Sequence, residues 1–223
     1  MATFVDVITG TNDASGTSIA TSTAGNHITG NTLVAIVAGG STSNPCNGVS
    51  DTAGNTYTQR ASITSAAVGH KRIFVAENIT GNASNTVTAS YPAGNEFRRI
   101  QVQQHTGLAT ASFDQQATGS GSGTTATTGT FTTTQATETI VTGAVSLGTT
   151  WDADGVGTIR VTSLGGDTGS EDWEVSTIQT GATSSMGLSG STSWLIAAVT
   201  LKQAVVSLPT PITVSNTLLI LGT

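Results

Sequence analysis

Charge is scarce in this chain. Only 9% of its residues are Asp, Glu, Lys or Arg, against roughly 25% in an average soluble domain. Aromatic residues are fewer still at 4%, and cysteine occurs once, at Cys46. Each shortage excludes something. A lone cysteine excludes an intrachain disulfide and any paired-cysteine zinc site. Its setting, Ser43-Asn44-Pro45-Cys46-Asn47-Gly48, predicts a loop thiol rather than a nucleophile. Seven basic residues against thirteen acidic ones give a net charge of −6 and a pI near 4.7, whereas a nucleic-acid partner requires a basic stripe. No run approaches the ~18 consecutive apolar residues of a membrane span. The start, Met1-Ala2-Thr3-Phe4-Val5-Asp6, has neither a basic region nor an apolar stretch of the secretory kind, so folding in a cytoplasm is expected.

Thr, Ser, Gly and Ala fill the gap, with abundant Val and Ile. Disorder brings high net charge and few β-branched residues; this composition instead suits pleated, half-buried surfaces. Strand-like runs are predicted at 3–9, 32–38, 56–63, 72–77, 86–91, 98–105, 129–134, 138–146, 158–163, 173–180 and 193–203. In Thr86-Val87-Thr88-Ala89-Ser90-Tyr91 the apolar residues alternate with Thr and Ser, as a strand with one wet face requires. Leu33-Val34-Ala35-Ile36-Val37 and Trp194-Leu195-Ile196-Ala197-Ala198-Val199 are apolar throughout and read as central strands. No stretch carries a 3.6-residue period with caps. The expected fold is all-β, a two-sheet β-sandwich of jelly-roll type over residues 1–203. The Gly/Ser/Thr-rich stretch 117–128 reads as a loop or flat connection.

Residues 204–223 behave differently. Pro209 and Pro211 favour an extended arm, since each fixes φ and removes a donor. The uncharged run Leu218, Leu219, Ile220 and Leu221 is β-prone and ill suited to a free solvated tail. It reads either as a closing strand of the same sandwich or as an arm that joins a neighbouring subunit.

The order of segments carries a resemblance. Gly30-Asn31-Thr32-Leu33-Val34-Ala35-Ile36-Val37 is followed by Asp51-Thr52-Ala53-Gly54-Asn55-Thr56-Tyr57. Then come Ile73-Phe74-Val75-Ala76-Glu77-Asn78-Ile79, Asn85-Thr86-Val87-Thr88-Ala89 and Gln104-His105-Thr106-Gly107-Leu108. Over about residues 30–203 this order resembles β-sandwich modules of bacterial surface proteins and of phage virion proteins. The resemblance implies a tight turn at Asp51–Asn55 leading into a strand whose Tyr57 packs in the core, and no catalytic motif. His105 stands where those modules carry an acidic or aromatic residue.

Motifs that carry chemistry are lacking. Gly119-Ser120-Gly121-Ser122-Gly123 puts Gly where a serine hydrolase needs its nucleophile. There is no phosphate loop and no His-Glu-x-x-His. His27, His70 and His105 are far apart and read as surface groups. Seven of the thirteen acids lie between Glu138 and Glu174 and read as solvated loops. Asp152-Ala153-Asp154-Gly155 resembles the start of a calcium loop but lacks its third and distal ligands. No cofactor is therefore expected, and a calcium ion would rest on Asp152 and Asp154, with Asp167, Glu171 and Asp172 only if they lie alongside. Trp151 and Trp173 flank the acidic stretch and are the candidates for a glycan-binding surface. The reading that follows is a non-enzymatic structural protein of a phage-like particle, a capsid decoration, head-fibre or tail component. Its expected partners are other subunits of the same or a neighbouring particle protein, and its location a virion assembled in the host cytoplasm. The alternative is a carbohydrate- or receptor-binding module at a cell surface, and a jelly-roll hydrolase ranks last.

Overall fold

A strand that is apolar at odd and even positions alike must be covered on both faces. The computed structural model, which describes residues 2–154 and 156–205, places Thr32–Gly39 in that position, with all eight residues buried. The first ten strands are β1 (Thr3–Asn12), β2 (Gly16–Ala20), β3 (Gly25–His27), β4 (Thr32–Gly39), β5 (Gly48–Asp51), β6 (Thr58–Ser65), β7 (Gly69–Ala76), β8 (Asn82–Asn85), β9 (Val87–Asn95) and β10 (Arg98–Thr106). Six more follow: β11 (Leu108–Thr127), β12 (Glu138–Ser146), β13 (Trp151–Asp152), β14 (Thr158–Leu164), β15 (Thr168–Val175) and β16 (Ser185–Gln203). The described residues form no helix, so none is long and apolar enough to cross a membrane.

The wiring of the first ten strands is that of a jelly roll. β1 pairs β10, β2 pairs β9, β3 pairs β8 and β4 pairs β7, all antiparallel. The chain is thus one long antiparallel ribbon, rolled up where β10 closes on β4. The roll yields a five-stranded sheet, β1-β10-β4-β7-β6, facing a three-stranded one, β2-β9-β5. Behind the five-stranded sheet lies a third layer, β11-β16-β12-β15-β14, with β13 attached to β16.

Alternation along β4 and β7 divides their side chains between two seams. Leu33, Ala35, Val37 and Phe74 face Val87, Ala89 and Tyr91 inside the roll. Val34, Ile36, Ile73 and Val75 face Val141, Ala197, Val199 and Leu201 of the third layer. Each fully buried aliphatic side chain contributes about 1.5–3 kcal/mol, so the two seams hold the layers together. Gly143 on β12 lets the third layer come close, because a Cβ there would collide with Ile36 and lie 3.0 Å from Lys71 Cε.

Several expectations are corrected. The stretch 117–128 lies almost wholly within β11, paired along β16. Its glycines are there for packing: a Cβ on Gly121 would fall 2.7 Å from the Trp194 ring. Residues 129–134 form no strand: they make an isolated bridge, Phe131 to Ala182, with single backbone bonds to Thr118 and Gln179 on either side, and the segment opposite turns at Gly181 (φ +61). The run expected at 173–180 begins instead at Thr168 and ends at Val175.

The turn after β5 ties three segments to one carboxylate. Asp51 accepts from the backbone N–H of Asn55 (2.9 Å), the Asn55 amide (2.8 Å), the Tyr57 hydroxyl (3.1 Å) and the Asn85 amide (2.9 Å). Burial alone would raise the pKa of this carboxyl, but the donors outweigh it and hold it below the usual carboxylate range. Asn85, itself buried, links onward to His27 at 2.9 Å. Asp51→Ala strips these donors of their acceptor and is expected to cost about 2 kcal/mol, measured by urea unfolding. Asp51→Asn, which keeps an acceptor oxygen, is expected to cost less.

Candidate functional site: a cleft between the roll and the third layer

Arg98 and Arg99 open β10, and strand alternation sends their side chains to opposite faces. Arg98 donates to the carbonyls of Ser18 and Ala14 on the roll side. Arg99, 1% exposed, points towards the third layer. Its Nε and Nη2 each donate to Asp167 at 3.0 Å, and Nη2 also reaches Asp13 at 2.7 Å. Asp167 follows the Gly165–Gly166 turn between β14 and β15. Its own carbonyl accepts from Ser146 N (2.8 Å) and Trp151 Nε1 (3.0 Å). One guanidinium therefore joins β10, the β1–β2 loop and the β14–β15 turn.

Above this knot opens a cleft of about 340 Å³, lined by Asp13, Gly39, Gly40, Val68, Phe97, Arg99, Val145, Ser146, Leu147, Gly148, Gly165 and Asp167. Its two lips are apolar. Phe97 comes from the turn between β9 and β10 and Leu147 from the loop after β12, and they are 50% and 56% exposed. Seven large apolar side chains are exposed among the described residues, and two of them meet at this opening. Phe97 also has φ +52, a left-handed conformation that costs a bulky residue on the order of 1–3 kcal/mol. The turn holds it there through Phe97 N to Asp13 O (3.3 Å) and Gly40 N to Glu96 O (2.8 Å).

The charges at the cleft are already paired with one another, and two carboxylates about one guanidinium leave the floor slightly negative. Beside it Lys71 is fully buried and donates to the carbonyl of Ala144 at 3.1 Å. Burial lowers its pKa to about 7, against the opposing pull of Asp167. The cleft is suited to holding aliphatic or aromatic side chains.

The residues singled out from sequence are scattered. Trp151 is fully buried against Gly169, so its ring cannot serve as a glycan platform. Trp173 is half-buried and packs beside Ile140 and Val175. Asp152 and Asp154 are exposed, and Asp154 accepts from Val156 N (3.0 Å) and from Ser185 Oγ. Of the acids that were to join them, Asp167 is engaged with Arg99 and Asp172 with Arg160, while the buried Glu171 lies close enough to Asp154 to feel its charge. Among the described residues no three His, Cys, Asp or Glu side chains gather in a way that could hold a metal. Pro209, Pro211, Leu218, Leu219, Ile220 and Leu221 lie outside the described residues.

Burial alters three further readings. Cys46 lies in the loop before β5, as expected, but is buried in the core of the roll, and burial raises its pKa to about 11. His27, His70 and His105 are all buried. His70 and His105 are pushed down to about 4 by burial. Glu138, Glu171 and Asp172 are buried as well, so the acidic stretch is not simply a set of solvated loops. Comparison with protein-family models, with curated proteins and with solved structures finds no match for the chain.

Proposed function

We propose that the chain is a non-enzymatic structural subunit of a phage-like particle, a capsid decoration, head-fibre or tail component that works by assembly. Its partners are further copies or a neighbouring particle protein, in a virion put together in the host cytoplasm. One observation carries the reading. Among the described residues, Ile196, Val199 and Leu201 of β16 are fully buried, and β16 has a strand on either side. The uncharged Leu218, Leu219, Ile220 and Leu221 lie outside the described residues, and their β-prone, apolar character suits a contact with a neighbour. The jelly-roll wiring supports the reading by analogy, since viral capsid domains use it, though so do lectins and cupins. The glycan-binding alternative has lost Trp151 to the core and keeps only the half-buried Trp173.

The test is the solution mass of the full chain against a version ending at Val205. The full chain is expected to form an oligomer, and the shortened one a folded monomer. Equal oligomers from both versions would remove the arm from assembly. Two monomers would remove self-assembly altogether.

A further inference from the structure

The body of the protein has two unlike poles. In the pairing of β12 with β16, Ser146 lies opposite Trp194 at one end and Glu138 opposite Lys202 at the other. Ser146 lines the cleft. Gln203, just past Lys202, is fixed at the opposite pole, where its side chain accepts from Ala2 N (3.1 Å) and its own N–H donates to Thr137 O (3.1 Å). From Trp194 to Gln203 a strand covers roughly 30 Å at ~3.3 Å per residue. The chain then leaves the sheet through Val205, which is 78% exposed. The apolar cleft and the exit of the uncharged arm therefore sit at opposite ends of the molecule.

Resting on the assembly reading above, we infer that the cleft between Phe97 and Leu147 receives the apolar run Leu218, Leu219, Ile220 and Leu221 of a neighbouring copy, joining subunits head to tail. Chemistry and geometry both support the match. From Ala204 to Thr223 the chain carries no charged residue, and the cleft offers apolar lips over charges that already satisfy one another. Its volume of about 340 Å³ falls within the ~300–1,000 Å³ of pockets that enclose ligands. Gly148 at its wall has nothing within 4 Å of where a Cβ would stand, which leaves backbone there open to close approach. Residues 206–223 number 18 and span up to roughly 60 Å when extended, enough to cross a subunit boundary. An arm at one pole and its receptor at the other make a heterologous contact, which continues into a ring or a filament instead of stopping at a two-fold dimer.

Complementation between two full-length variants tests this. Leu147→Asp closes the cleft to an apolar segment but keeps the arm; Leu219→Asp spoils the arm but keeps the cleft. Leu147 is exposed and Leu219 belongs to the segment proposed to serve a neighbour, so each variant is expected to melt as the parent does. Each alone is expected to be monomeric by sedimentation while the parent is oligomeric. Mixed in equal amounts, they are expected to form a heterodimer and nothing larger, because one intact arm meets one intact cleft. Should Leu219→Asp abolish assembly while Leu147→Asp and Phe97→Asp leave it intact, the arm docks elsewhere: this inference falls and the assembly reading stands. If all variants assemble like the parent, this inference falls and the arm is removed from assembly, which then uses another surface. If the parent itself is monomeric and cross-linking joins its arm to its own cleft, the head-to-tail contact is excluded.

Discussion

Arg99→Met is expected to lower the free energy of unfolding by roughly 3–5 kcal/mol, the cost of removing one partner from a buried ion pair. Methionine fills much of the same volume, so the effect reports on charge more than on a cavity. What it leaves behind is Asp167, whose side chain is 16% exposed and whose remaining nearby cation is Lys71, its pKa lowered by burial to about 7. Asp13 contributes little to the total, because its side chain is 69% exposed and solvent screens it. The decisive comparison is the double variant Arg99→Met with Asp167→Asn. It removes both charges and should recover much of the loss, since a buried pair costs nearly as much to desolvate as it returns. Chemical denaturation midpoints at constant slope provide the measurement. A single-variant loss below ~1 kcal/mol, the range of exposed pairs, would mean that Arg99 does not lock the third layer to the roll.

How far the fold could be read from sequence depended on how each strand earns its burial. β4 and β16 are legible because unbroken apolar runs admit almost no position but a central strand. β2, β3, β5 and β8 escape notice because they are three to five residues long and built from Gly, Asn, Ser and Thr, which also make turns. β11 was hidden by its glycines, whose reason is the Trp194 ring across the ladder, a contact between residues far apart in sequence. The cleft was illegible for the same reason: Phe97, Arg99, Leu147 and Asp167 come from four separate segments. Charge misled most. The acids between Glu138 and Glu174 read as solvated loops, yet Glu138, Glu171 and Asp172 are buried, as are Lys71, Arg98 and Arg99. The seam behind β10 is polar along Arg99, Gln101, Gln103 and His105, and Gln103 meets Ser170 of the third layer at 3.1 Å. Alternation in Arg99-Ile100-Gln101-Val102-Gln103 suits a strand with one wet face, yet its polar face is covered by another sheet.

Glu171→Gln is expected to leave stability unchanged near pH 5 and to raise it by roughly 2–4 kcal/mol at pH 9. Glu171 lies on the outer face of the third layer, opposite Thr142 and Ile159 in the flanking strands. It is 1% exposed, and its Oε2 has no hydrogen-bond partner among the described residues. Gly157 backs directly onto the carboxyl, where a Cβ would stand 2.5 Å from it. Burial, with the nearby charges of Asp154 and Asp172 adding to it, raises the pKa to about 8 from an ordinary 4.5. The folded chain therefore binds a proton more tightly than the unfolded chain does. Between pH 4.5 and 8 the folded state holds the excess proton, so stability falls as pH rises through that window and levels off above it. A shift of this size corresponds to about 1.4 kcal/mol per pH unit, which sets an upper bound; the smaller range expected allows for local relaxation once the carboxylate forms. Other groups bend the parent's profile: Glu138, raised to about 7 mainly by burial, slopes the same way. Lys71 slopes oppositely between about 7 and its ordinary 10.5, as do His70 and His105 between about 4 and 6.5. Those contributions are common to parent and variant, so the difference between their unfolding curves isolates Glu171. A difference that stays flat from pH 5 to pH 9 would show that the carboxyl ionises normally and that water reaches it.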